Sequence, residues 1–281
     1  MVFPIVRSAS VYRTVCSVLS FANIAVAEIV VTTCGQVVTQ RARLDADLDC
    51  SSHVGSAVVL QRTTLNLNGH KIIGSILDED VPYSGVAVAC VMPDTSFGGG
   101  LRPVRCTVIG PGEITSAYDG IRAQSARVSG VTITGNHAFG VGATGRVRLT
   151  DTVVTDNGAA GVVVVGQGRS LLRRSMLRQN DGPGVSFNSN SDGLTIDDSE
   201  ITLNASHGIF YVATKQLRIR RSTVRDNVLD PSSPYCALNT WGGEVGCADI
   251  TSYGAVSLEQ TDCGSSFAPW TGEPLGICTN D

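Results

Sequence analysis

Between residues 117 and 227 the apolar positions follow a fixed beat. A glycine followed by a branched apolar residue stands at Gly120-Ile121, Gly140-Val141, Gly161-Val162, Gly184-Val185 and Gly208-Ile209, at intervals of 20, 21, 23 and 24 residues. Asparagine keeps nearly the same beat at Asn136, Asn157, Asn180, Asn204 and Asn227. Three residues before each asparagine come Ile133, Val154, Leu177, Ile201 and Val224, and eight before come Val128, Leu149, Leu172, Ile196 and Ile219. Between these columns the chain alternates or turns, so each period predicts short strands joined by tight turns.

One such period, roughly 22 residues long, cannot bury its own apolar face. Stacked in register, each coil covers the next, and equivalent residues form ladders spaced about 4.8 Å apart. Asparagine suits a ladder because its amide both donates and accepts along the stack. The expected fold is all-β, a right-handed parallel β-helix built as a solenoid of ~20–24-residue coils.

Upstream, "CGQVV" (34–38), "DLDCS" (47–51) and "LNLNGHKIIG" (65–74) resemble the opening of exported bacterial right-handed β-helix repeat proteins of the pectin-lyase-like superfamily. The likeness covers residues 33 to 227. It implies the fold, while the activity stays open among lyases, hydrolases, epimerases and noncatalytic members.

Composition adds the ends of the molecule. Arg7 and Arg13 precede an apolar run from Val15 to Ala27 that closes in "AVA", the pattern of a secretory signal peptide cleaved near Ala27. The expectation is a secreted, periplasmic or cell-surface protein with a leader (1–27), a β-helix domain (28–227) and a disulfide-rich C-terminal capping segment (228–281). Setting aside Cys16, eight of the nine cysteines remain: Cys34, Cys50, Cys90, Cys106, Cys236, Cys247, Cys263 and Cys278. An even number in an exported chain points to four disulfides. Their clustering favours 34–50, 90–106, 236–247 and 263–278 among many connectivities.

The stretch "DDSEITLNASHGIFYVATKQLRIR" (197–220) carries an Asp pair, a His-Gly and an Arg-Ile-Arg, roughly as polygalacturonases do. The repeat argues against that chemistry. Asp197-Asp198 occupy positions held by Arg173-Arg174 one coil earlier and Arg220-Arg221 one coil later, while His207 falls at a turn position. Both would lie on one coil, separated by a strand.

Charge leaves other candidates. Without Arg7 and Arg13 there are 19 basic residues against 25 acidic ones, a net of −6. Residues 120 to 227 hold twelve Arg and Lys215 against eight acids, a local net of +5. Several of these arginines fall at outward positions: Arg148 and Arg218 with Arg127 on one track, Arg173, Arg174, Arg220 and Arg221 on the next. Guanidinium groups at regular spacing suit a carboxylated or sulfated polymer. Tyr118, Asp119, Arg122 and His137 form a second candidate, since stacking places Tyr118 diagonal to His137. A uronate lyase or epimerase needs a base, an acid and a cation facing the carboxylate. The Asp-Pro-His motif of the superfamily's epimerases is missing. Asp78, Glu79 and Asp80 could supply oxygen ligands for Ca²⁺, in a spacing that matches no calcium loop. Outward Val163, Val165, Phe210 and Val212 imply cover, for which residues 228 to 281 with Trp241 and Trp270 are the candidate. The leading reading is an acidic-polysaccharide binder that does not cleave; a lyase or epimerase and an inert surface scaffold are the alternatives. Neither a nucleic-acid partner nor membrane insertion is expected, and the oligomeric state is open.

Overall fold

The computed structural model describes residues 28–76, 85–93, 101–189, 192–228, 236, 247–269, 271, 273–279 and 281. The leader at 1–27, the acidic run 78–80 and both Trp241 and Trp270 lie outside the described residues.

The inward columns dictate the architecture. In the first, Val108, Val128, Leu149, Leu172, Ile196 and Ile219 stack on successive parallel strands. In the second, Ile114, Ile133, Val154, Leu177, Ile201 and Val224 do the same. A third runs through Ile121, Val141, Val162, Val185, Ile209 and Ile250. All of these side chains are fully buried, each contributing on the order of 1.5–3 kcal/mol from removal of apolar surface. Three parallel sheets of ten, nine and eleven strands result among the described residues. The chain visits them in turn, and they are named here first, second and third in that order.

Two polar ladders fix the corners. Between the second and third sheets each asparagine Nδ2 donates to the Oδ1 of the next: Asn136 to Asn157 at 2.8 Å, Asn157 to Asn180 at 2.9 Å, Asn180 to Asn204 and Asn204 to Asn227 at 2.8 Å. Between the first and second, the backbone N–H of Ser175 donates to Ser199 Oγ and that of Ser199 to Ser222 Oγ. The sequence reading found the asparagines and missed the serines. At the same corner Asp151, Arg174, Asp198 and Arg221 all take left-handed φ, between 46° and 51°, where Gly130 stands one coil earlier.

The solenoid continues past Asn227, a correction to the expectation that residues 228–281 leave the repeat. Ile250–Ser252, Val256–Glu259 and Asp262–Cys263 pair in parallel with the strands Ile209–Ala213, Leu217–Arg220 and Thr223–Arg225. The reason is chemical substitution within the ladder. Asp249 takes the asparagine's place, its Oδ1 accepting from Asn227 Nδ2 at 2.8 Å and its Oδ2 from the Ser265 N–H at 2.9 Å. The long insertion before it hides the beat. The four disulfides join Cys34–Cys50, Cys90–Cys106, Cys236–Cys247 and Cys263–Cys278. Among the described residues no helix is long and apolar enough to cross a membrane.

Candidate functional site

Pleating sends alternate residues of each strand outward. On the first sheet this gives parallel outward columns. One holds Thr107, Arg127, Arg148, Leu171, Thr195 and Arg218. A second, on the side of the third sheet, begins with Arg105 and Ser125 and goes on through Arg146 and Arg169, which immediately precede the strands Val147–Thr150 and Ser170–Arg173. The last column, toward the second sheet, holds Thr150, Arg173, Asp197, Arg220 and Glu259.

The structure divides the seven arginines singled out from sequence. Arg174, Arg220 and Arg221 are spent on the protein's own acids. Arg174 forks onto Asp151, Nε at 2.6 Å from Oδ1 and NH2 at 2.8 Å from Oδ2. Arg221 holds Asp198 in the same way, Nε at 2.7 Å from Oδ1, and reaches Asp197, which Arg220 also meets at 3.3 Å. Each guanidinium donates a charge-assisted bond, which pulls the Asp151 and Asp198 carboxyls below the ordinary carboxylate range. Asp197 is buried, so this corner is a closed ion-pair ladder rather than an open cationic surface. Arg218 donates to Gln216 at 3.0 Å. Arg127, Arg148 and Arg173 make no ion pair among the described residues.

Arg148 instead belongs to a cleft of about 240 Å³ lined by Arg105, Thr107, Ser125, Arg127, Arg146 and Arg148 with Cys106 and Ala126. No acid lines it, and among the described residues none of its four arginines makes a salt bridge. Arg127 and Arg148 stand on the outward track expected from sequence, which gave no reason to single out Arg105. A second cleft adjoins it around the corner, with Gln124, Thr144, Gly145, Gly166, Gln167 and Gly168. The excess of Arg and the alternation of 173–174, 197–198 and 220–221 were visible in sequence; the cleft was not, because its walls come from neighbouring coils.

Tyr118 and His137 do meet, their ring centroids 5.7 Å apart. Asp119 and Arg122 meet separately, Asp119 Oδ2 lying 2.8 Å from Arg122 Nε. That approach is close but poorly aligned, leaving Oδ2 without a true hydrogen bond, while Oδ1 accepts the Phe139 N–H at 3.0 Å. Asp119 is wholly buried. Burial raises its pKa, and Arg122 and the Phe139 N–H only partly offset it. A cleft of about 260 Å³ opens over Gly142 on the third sheet, with Arg122, Phe139, Val163 and Val165 in its lining and neither Tyr118 nor His137. The four residues meet as two pairs, Tyr118 with His137 and Asp119 with Arg122.

His207 is buried, its Nδ1 2.8 Å from Thr251 Oγ1 and its Nε2 3.7 Å from Cys247 Sγ. It sits at the corner before Ile209–Ala213, whereas Asp198 sits at the corner after Leu194–Asp197. The polygalacturonase-like arrangement does not form. Phe210 of the outward apolar strip is covered by His207 and Tyr253, at 5.1 and 6.2 Å between centroids. Val165 remains 53% exposed.

Two solved structures are similar in fold. The A-module of the Azotobacter vinelandii mannuronan C-5 epimerase AlgE4 aligns at 11% identity and a TM-score of 0.44, covering 83% of this chain and 57% of that one. The pectate lyase Pel9A aligns at 12% identity and a TM-score of 0.40, covering 75% and 56%. The chain thus spans little more than half the length of either. No curated protein matches in sequence. The family model described as "Right handed beta helix region" matches residues 105–254, or 150 of the 281 residues, and the chain belongs to the right-handed β-helix family.

Proposed function

We propose that this protein is an exported β-helix that holds a linear acidic polysaccharide on the outward face of its first sheet without cleaving it. One observation carries the reading: Arg105, Arg127, Arg146 and Arg148 line a single cleft with no acid in its wall among the described residues. Four like charges held side by side repel one another, and a bound polyanion relieves that repulsion. Guanidinium forks match carboxylate and sulfate geometry. Export is supported by the leader-like residues 1–27 and the four disulfides.

A second reading, uronate lyase or epimerase, is favoured by the contact of Tyr118 with His137 and by Arg122 at the rim of the third-sheet cleft. In that reading Tyr118 and His137 move the proton, Arg122 faces the substrate carboxylate, and buried Asp119 positions Arg122 rather than touching substrate. One assay separates the two. The protein is incubated with a panel of polyuronates while ultraviolet absorbance of unsaturated products and gel retardation are followed, with nuclear magnetic resonance of the polymer reporting epimerisation. Retardation with unchanged polymer supports the binder. New absorbance or altered stereochemistry supports the enzyme, and no retardation removes the binder.

A further inference from the structure

We infer that the third sheet carries a binding site of its own, a slot above Gly142 that takes one flat aromatic ring of a small phenol or phenolic acid, independent of any polymer on the first sheet. The outward column there reads Ala89, Arg122, Gly142, Val163, Ser186 and Phe210, so a glycine interrupts a row of side chains. Glycine inside a strand weakens it, and where no bulge or bend needs it, it marks a close approach to the backbone. At the repeat glycines Gly120, Gly140, Gly161, Gly184 and Gly208 a Cβ would come within 2.5–2.8 Å of a carbonyl oxygen on the next coil. Packing accounts for those. Gly142 is different. Its φ is not left-handed, and among the described residues an added Cβ would meet nothing nearer than Arg122 Cγ at 3.8 Å and the Ile121 carbonyl oxygen at 3.9 Å. What the missing side chain provides is the floor of the cleft.

The walls of the slot are Arg122 and Val163, on the strands to either side, two strand repeats or ~9.6 Å apart. A plane in van der Waals contact on both faces needs about 7–8 Å between the atoms that flank it. One aromatic ring therefore fits, and a puckered saturated ring, being thicker, crowds the walls. A guanidinium attracts the electron-rich face of such a ring even while paired to a carboxylate, as Arg122 is to Asp119 at 2.8 Å. Pro103, Phe139 and Val165 add apolar lining, Val165 more than half exposed, and exposed Thr144 brings a hydroxyl for a phenol. Among the described residues a pyranose would find only Arg122 and Thr144 as polar side chains in the lining, too few to replace the water its hydroxyls lose.

The test titrates phenol, para-hydroxybenzoate and cyclohexanol into the intact protein, followed by saturation-transfer nuclear magnetic resonance, with the melting temperature recorded for each variant. Both aromatics should bind, and cyclohexanol, which carries the same hydroxyl on a puckered ring, should bind about fivefold more weakly or not at all. Gly142→Val fills the slot and should weaken phenol by about tenfold or more, while melting holds or rises because a β-branched residue replaces glycine in a strand. Arg122→Leu keeps a wall without its charge and should weaken phenol by a few fold. A parent that binds neither aromatic, or binds cyclohexanol as well as phenol, overturns the site. So does a Gly142→Val protein that binds phenol like the parent. If Gly142→Ala, whose one methyl has room, melts well below the parent, the glycine serves the strand and the inference falls as well.

Discussion

The arginines of the first sheet are one residue type on one repeat, yet those at its corner and those on its open face behave differently. At the corner toward the second sheet, each arginine of the ladder Asp151, Arg174, Asp198, Arg221 has an aspartate on the adjacent coil. On the open face, Arg105, Arg127, Arg146 and Arg148 share a cleft and make no salt bridge among the described residues. Opposite charges on neighbouring strands stabilise a stack modestly, and like charges destabilise it. The corner therefore serves the fold, while the open face is tolerated at a small cost, which suits an external anion. Periodic charge in a solenoid says nothing of function until the complement on the next coil is known.

The largest expected effect breaks what lies beneath both columns. Ile201 is fully buried between Leu177 and Val224, so Ile201→Asp places an unpaired carboxylate in the core and should cost about 4 kcal/mol or more. Thermal unfolding followed by circular dichroism checks it, and a variant that melts like the parent would show the inward column to be misassigned. Next comes the end of the asparagine ladder. Asp249→Ala strips acceptors from buried Asn227 Nδ2 and its backbone N–H, and should cost about 1–3 kcal/mol.

The open face should respond in the opposite way. Arg127→Ala with Arg148→Ala should lower affinity for polyuronate by about tenfold or more in low salt, with the melting temperature unchanged or slightly raised. Raised salt should weaken the parent's binding in the same assay. If the doubly substituted protein binds as well as the parent, the cleft is a solvated face. For Arg174→Ala with Arg221→Ala the pattern inverts, since these guanidinium groups are already occupied. Melting should fall by a few degrees at most and binding should stay within about twofold of the parent.

Most of the fold was legible because burial restricts each inward position to the same residue class on every coil. Ile133, Val154, Leu177, Ile201 and Val224 announce themselves as a column without any structure. The last coil was not legible. There Asp249 replaces the asparagine, and an acid does not stand out among turn residues until its partners Asn227 and Ser265 are placed around it. The site was half legible for a related reason. Outward residues face no such restriction, so their meaning depends on lateral neighbours some twenty residues away. Arg173, Arg174, Arg220 and Arg221 stood out by repetition, yet Arg174, Arg220 and Arg221 pair internally. Arg105, which precedes the regular repeat, and Arg146, which lies just outside its strand, complete the cleft without repeating. Tyr118 and His137 were rightly placed together, but the burial of Asp119 depends on packing that spacing does not reveal.

The smallest effect separates the corner from the site by pH. Asp151 and Asp198 have folded pKa values below the ordinary 3.8, chiefly through the hydrogen bonds from Arg174 and Arg221. Between the folded and unfolded values the unfolded chain binds more protons, so their stabilisation is complete above 3.8 and is lost as pH falls through the folded value. Asp119 runs the other way. Its folded pKa is raised above 3.8, mainly by burial, so on acidification the native protein takes up that proton first and gains stability. Melting temperature should therefore hold or rise slightly from neutral pH toward 4 and fall below it. Asp119→Asn should remove the rise, and Asp151→Asn with Asp198→Asn should reduce the fall, the rest of which belongs to Asp45, Asp47, Asp49 and Asp281, also held below 3.8. Because both pairs at the corner are exposed, added salt should also shrink the fall. A fall undiminished in the double Asn variant and insensitive to salt would place the acid-sensitive carboxylates elsewhere in the stack, and the corner would lose its claim to a structural role.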